Sequence, residues 1–308
     1  MFRPDAKRLL LASALVLLGL RPALALTLND CTDPKLDADK RIEICTKVIQ
    51  AKAPTPDITA KGYQYRGRGY LAKGKLDAAM ADFQKGIELS PKDPELYLNR
   101  ASVFYFQKKY DEAIKDFTKV ISLDSRNVAA YTSRATVYDL IGDASRAQRD
   151  FDALVEMYPN EPFVLNNRGV FLLWQGDYDK AIADFDKVLQ LAPSNAAALS
   201  ARCLARARSG KDLRLAEADC GEAMRINPNF PPAYDSRAFI MFKYGAFEDA
   251  FADYSAAAKI NPRDAAALYG RGLMRGKLGD KNTANADMAA ARAIDPSIDK
   301  KFKSLGVE

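Results

Sequence analysis

From Ala60 to Ile298 the sequence repeats every 34 residues, seven times over with one residue to spare, and a chain so built cannot close around one conventional core. Each period holds two stretches with apolar residues at i, i+4 and i+7. A Gly or a short polar break parts them, as at Gly74-Lys75, Gly142-Asp143, Gly176-Asp177, Gly210-Lys211, Gly245-Ala246 and Gly279-Asp280. Each period therefore reads as a helical hairpin. Most periods close on a Pro (Pro91, Pro159, Pro193, Pro228, Pro262, Pro296), which cannot continue a helix and is expected in the first turn of the next; Ser125 is the exception. The spare residue falls in the fifth period, near Gly210.

Small residues explain how the two helices of a hairpin can approach. Early in each first helix stands Gly67, Ala101, Ala135, Gly169, Cys203, Ala238 or Gly272, and each second helix carries an Ala in register: Ala79, Ala113, Ala147, Ala181, Ala216, Ala250, Ala284. Larger groups such as Tyr97, Phe104 and Phe117, or Leu165, Leu172 and Phe185, fill the space around that contact. One hairpin cannot bury such a face alone, but stacked neighbours can, which makes the core a continuous ribbon. A charged pair repeats as well. Arg66, Arg100, Arg134, Arg168, Arg202, Arg237 and Arg271 are matched by Asp82, Asp116, Asp150, Asp184, Asp219, Asp253 and Asp287, 16 residues on except in the fifth period, where the spacing is 17. On a helical wheel both positions flank the buried face, so the expectation is a partly exposed strut contributing about 0 to 1 kcal/mol per pair, set against an anion-binding or catalytic ladder.

The period, the small residue, the Ala, the aromatic four residues after it and the closing Pro together resemble the tetratricopeptide repeat over residues 60–298. The departures are Cys220 in place of the aromatic, the longer fifth period, and Arg206 and Arg275 where other periods place Tyr70, Phe104 or Leu172. The resemblance implies an all-α fold: a right-handed superhelical solenoid of antiparallel helix pairs, with one face of each first helix lining a concave groove. On that face fall Asn99, Tyr105, Phe106, Asn166, Asn167, Val170, Leu173, Trp174, Phe239 and Phe242, together with Leu71, Leu140, Tyr269 and Leu273. Aromatics offer contact area and amides can meet a peptide backbone, so these are the candidate partner-binding residues. The competing reading packs Trp174 and Phe106 against the next hairpin. The implied role is a non-catalytic protein–protein interaction scaffold holding a protein or peptide partner, with a structural or self-assembling protein as the alternative.

The amino terminus reads as a leader. Arg3, Lys7 and Arg8 precede the apolar run Leu9 to Leu20, Arg21-Pro22 breaks it, and Ala23-Leu24-Ala25 offers a small-residue cleavage site after Ala25. The run is shorter than the ~20 residues that span a bilayer, so no transmembrane anchor is expected after removal of residues 1–25. A periplasmic or secreted protein follows as the expectation. In an oxidising compartment the positions of the four cysteines favour Cys31 with Cys45 and Cys203 with Cys220; four free buried thiols are the second reading. Zinc is a poor third, because the spacings are wrong and there is no His. The expected organisation is residues 26–59 as an amino-terminal capping helix (Asp37 to Gln50) and linker, 60–298 as the seven repeats, and 299–308 as a carboxy-terminal capping segment.

Charge and chemistry narrow the function classes. The formal net charge of +6 falls to +3, with 42 basic and 39 acidic residues, once residues 1–25 are set aside, which is too little and too dispersed for nucleic acid. Without His the chain cannot assemble a Ser-His-Asp or Cys-His arrangement, and Gly62 to Gly69 lacks the Gly-Lys-Ser/Thr ending of a phosphate loop. The acidic pairs Asp111-Glu112 and Glu248-Asp249 open second helices, where negative charge is favourable. No catalytic residue, cofactor or metal is expected.

Overall fold

The computed structural model describes residues 28–50 and 55–307; the leader and its cleavage site lie outside the described residues. The chain divides into two compact units, 1–109 and 110–308. The first holds α1 (Leu28–Thr32), α2 (Ala38–Gln50), α3 (Pro56–Ala72), α4 (Leu76–Leu89) and α5 (Pro94–Phe106). The second holds α6 (Tyr110–Leu123), α7 (Val128–Leu140), α8 (Ala144–Met157), α9 (Pro162–Gln175), α10 (Tyr178–Leu191), α11 (Ala196–Ser209) and α12 (Leu213–Ile226). It continues with α13 (Pro231–Tyr244), α14 (Phe247–Ile260), α15 (Ala265–Lys277), α16 (Lys281–Ile294) and α17 (Ile298–Ser304). Among the described residues no helix is long and apolar enough to cross a membrane.

Local sequence sets the helix ends. Asp93, Asn127, Asn195 and Asp264 cap first helices by accepting a bond from a backbone N–H one turn in, and Asp143, Asp177 and Asp280 do the same for second helices. The closing prolines differ from expectation. Pro91, Pro159 and Pro193 sit in the turns between hairpins, where a backbone bond such as Asp93 N–H to Ser90 O (3.2 Å) closes the turn around them. The first helical position goes instead to Pro56, Pro94, Pro162 and Pro231, whose missing N–H costs nothing there. Since α3 starts at Pro56, the boundary expected at residue 60 falls inside a helix.

Hairpin loops trade length with their first helices. α7, with 13 residues, is followed by the three-residue loop 141–143, and α9, with 14, by the two-residue loop 176–177. Gly176 takes φ +84° to end α9, a conformation that suits glycine. The fifth hairpin combines a 14-residue α11 with the three-residue loop 210–212, which is where the spare residue goes, and Asp212 is drawn to φ +53°.

Packing explains the small residues. Gly169 of α9 faces Phe185 of α10, and a Cβ there would stand 2.7 Å from the fully buried ring. Gly169→Ala should therefore lose about 1 kcal/mol on balance, because a clash costing ~1–3 kcal/mol outweighs the ~1 kcal/mol gain in helix propensity. Gly221 of α12 has open space around it, so Gly221→Ala should gain up to about 1 kcal/mol. Opposite shifts in urea midpoint would bear this out; shifts of the same sign would contradict it.

Both cysteine pairs are disulfide-bonded. Cys31–Cys45 ties α1 to α2 (Cα–Cα 4.9 Å) and Cys203–Cys220 ties α11 to α12 (5.6 Å). At the far end α17 packs inward, burying Ile298 and Phe302 with Val307 just beyond it, and Phe302 lies 4.8 Å from the Tyr269 ring.

Candidate functional site

The Arg–Asp pairs are more buried than a helical wheel suggests. Asp82, Asp150, Asp184, Asp219, Asp253 and Asp287 are buried, and each accepts two bonds from its Arg, as in Arg168 Nε to Asp184 Oδ2 (2.8 Å) and Nη2 to Oδ1 (2.7 Å). The bond to Asp184 holds the Arg168 guanidinium above its ordinary pKa, against the opposing effect of burial. A third N–H often reaches the preceding hairpin: Arg134 to Thr118 (2.9 Å), Arg168 to Asp152 (3.0 Å), Arg202 to Asp186 (2.6 Å). The pairs are thus braces within and between hairpins. Arg206 and Arg275, the departures from the repeat pattern, add a further donor to Asp219 (2.7 Å) and Asp287 (2.8 Å).

A second group of residues stands on the first helices of the second unit. Trp174, in the last turn of α9, is 59% exposed, with the Arg208 guanidinium 5.1 Å from its ring centroid. A hollow opens on each side of it. One, of about 220 Å³, is lined by Thr132, Thr136 and Asp139 of α7 with Asn167 and Val170 of α9. Burial raises the pKa of Asp139, opposed by its bond from Gln175 Nε2 (2.7 Å). The other, of about 210 Å³, lies among Leu204 of α11, Asp235 and Phe239 of α13, Tyr254 of α14 and Phe302.

Thr132 and Asn167 of the first hollow and Asp235 of the second each carry a buried polar atom without a hydrogen-bond partner (Oγ1, Nδ2 and Oδ1), as do Asn166 (Oδ1) on α9 and Arg208 (Nη1) beside Trp174. Such atoms are rare in folded proteins, since an unmade bond costs about 1–3 kcal/mol. Thr132, Asn166 and Asp235 share one register, two residues ahead of Arg134, Arg168 and Arg237. Gln64 of the first unit takes the same register ahead of Arg66, and its Oε1 is also unpartnered.

The structure brings Asn166, Asn167, Val170 and Trp174 together on α9 and corrects two of their companions. Leu173 is buried, in one core cluster with Ala205 of α11, because the neighbouring first helix covers it. Phe239 is buried at 4% exposure, though its ring edges the second hollow, and Phe242 is half-buried against Phe247 (6.0 Å). Tyr269 is also covered, by α17, and donates to Asp299 Oδ1 (2.7 Å). In the first unit Tyr105 and Phe106 are exposed and meet edge to face at 5.6 Å, while Asn99 spends its amide on Glu95 O (2.6 Å) of its own helix. Thr132, Asp139, Asp235 and Arg208 were absent from the expected set; reading the register two residues before each Arg would have found Thr132 and Asp235.

Within each unit, stacked helical hairpins braced by a repeated Arg–Asp pair define a helical-repeat protein. The family model for the tetratricopeptide repeat matches residues 94–127 and 162–195, and a second TPR repeat model matches 67–107. The chain is a tetratricopeptide-repeat protein, and members of this family generally act as protein–protein interaction scaffolds. Among curated proteins none matches the sequence. Of the solved structures, a tetratricopeptide repeat protein from Parabacteroides merdae is 21% identical over 81% of this chain and 99% of its own, with a TM-score of 0.68. PilW, a type IV pilus biogenesis factor, is 22% identical over 68% of this chain and 98% of its own, at 0.56. Yeast Tom70 is 18% identical over 87% of this chain and 58% of its own, at 0.59. At these identities the likeness is one of fold.

Proposed function

We propose that the protein is a non-catalytic scaffold of the cell envelope or secreted space that holds an extended segment of a partner polypeptide along the first helices of its second unit, around Trp174. The observation that carries this reading is the row of unpartnered polar atoms at Thr132, Asn166, Asn167 and Asp235 beside the exposed Trp174 ring. Buried polar atoms left without a partner are rare, and a peptide backbone supplies donors and acceptors at regular intervals. The apolar ring supplies contact area. The basic, apolar and small-residue leader supports an exported location, as does the disulfide-bonded state of all four cysteines, which oxidising compartments maintain.

Trp174→Ala tests this reading. Loss of a large aromatic anchor should cost ~2 kcal/mol, about a thirtyfold weaker Kd, for a partner captured from the native compartment, with helical circular dichroism unchanged. As the single Trp, Trp174 should also shift its emission when the partner binds. Unchanged affinity in the folded variant would remove the site from this face. A purified protein that assembles with itself through Trp174, seen by light scattering, would favour the self-assembling alternative.

A further inference from the structure

The hollow beside α13 holds a group that the rest of the molecule does not use. Asp235 lines this hollow, and its Oδ1 is buried without a hydrogen-bond partner although the residue as a whole is only half-buried. Three charged groups around it are already committed, and Arg208, whose Nη1 has no hydrogen-bond partner, stacks on the Trp174 ring. Arg237 is bonded to Asp253 (2.8 and 2.6 Å), Lys243 donates to Ala207 O (2.8 Å), and Asp264 caps Ala266 N–H and Ala267 N–H (3.0 and 3.2 Å). Asp253 and Asp264 therefore add negative charge near Asp235 and bring it no cation.

The walls narrow what could satisfy that carboxyl. Trp174, Leu204, Phe239, Tyr254 and Phe302 make the lining chiefly apolar and aromatic, and Ser236 adds one hydroxyl. A hydrated metal ion needs several oxygen ligands, and among the described residues no cluster could hold one. A guanidinium carries five donors that one carboxylate and one hydroxyl cannot match. An alkylammonium fits better: its methylenes lie along the apolar wall, its charge meets the carboxylate, and ring faces attract it.

We propose that this pocket receives the side chain of a lysine from the bound partner, its ammonium paired with Asp235 and its methylenes against Phe239, Tyr254 and Trp174. This deepens the reading of the same face as a partner-binding wall and rests on it for the partner. Burial first, and the charges of Asp264 and Asp253 second, push the Asp235 carboxyl well above the usual carboxylate range, a cost that a bound cation would offset.

Titration of the full-length mature chain with n-butylammonium and with N-acetyl-lysine methylamide, followed through Trp174 emission, tests the assignment without any partner. Both should bind saturably, and the neutral n-butanol should not. Asp235→Asn keeps the shape and removes the buried ionisable carboxyl, so it should fold with an equal or higher melting midpoint and bind both amines about tenfold more weakly or worse. Equal binding of butanol, undiminished amine binding by Asp235→Asn, or failure of the capped lysine to bind would overturn it. If Trp174→Ala weakens partner binding while Asp235→Asn leaves amine binding intact, only the pocket assignment falls. If the amines bind as expected and no partner engages Trp174, only the wider reading of the wall falls.

Discussion

Arg134→Ala should destabilise its hairpin by about 3–5 kcal/mol, several times what an exposed ion pair would lose. Asp150 is 6% exposed and accepts both Nε (2.8 Å) and Nη2 (2.7 Å) of Arg134, so deleting the Arg strands a carboxylate that water cannot reach. The same deletion frees Thr118, to which Arg134 Nη1 donates at 2.9 Å, and loosens α6 from α7. Replacing both partners by apolar residues of similar volume, Arg134→Met with Asp150→Leu, should cost far less, because no buried charge is then left over. Hydrogen exchange across α7 and α8 is the better readout, since a repeat array opens locally before it unfolds as a whole. A double variant as unstable as the sum of the singles would mean that the two side chains act independently.

Opening the Cys203–Cys220 disulfide should cost about 3 kcal/mol, the chain-entropy value for a closed loop of roughly this length. Here the aromatic that wedges hairpins such as the fourth is replaced by sulfur: where Gly169 receives the Phe185 ring, the fifth hairpin has only the bridge. Both cysteines are fully buried, so in a Cys203→Ala, Cys220→Ala variant the lost covalent tie is joined by a void. Faster amide exchange confined to α11 and α12 is the expected signature, and the Cys31→Ala, Cys45→Ala variant should leave that region untouched. Wild-type exchange rates in α11 and α12 after reduction would show that the bridge adds nothing to the hairpin.

Helix positions were legible because they depend on local rules that recur: the apolar spacing, the capping Asn and Asp, and the Gly at hairpin loops. The inter-hairpin prolines were misplaced by a few residues because Pro suits both a turn and a first helical position, and only the turn's closing bond tells them apart. Burial of the Asp in each brace was underestimated for a different reason. A helical wheel sees one helix, whereas Asp150 and its counterparts are sealed by the helix opposite. The same limit hid Leu173 and Phe239, which face outward on a wheel and are covered by neighbouring first helices or, for Tyr269, by the seven residues of α17. Asp235 was readable in register but not in meaning, since the absence of a bonding partner is a property of three-dimensional surroundings.

The braces also bear on how such a chain tolerates change in length. Arg202 and Asp219 are 17 residues apart rather than 16, yet their bonds, at 2.9 and 2.5 Å, match those of the other pairs. The extra residue is absorbed by joining a 14-residue first helix to a three-residue loop, 210–212, with an Asp in a conformation usually left to glycine. Helix alignment is therefore set by what meets across the hairpin and not by counting along it. Insertions and deletions at these joints are close to invisible to the core, whereas the same single residue added within a helix would rotate every contact beyond it by about 100°. Length variation in an array of this kind is thereby steered to the loops, leaving the face around Trp174 in register.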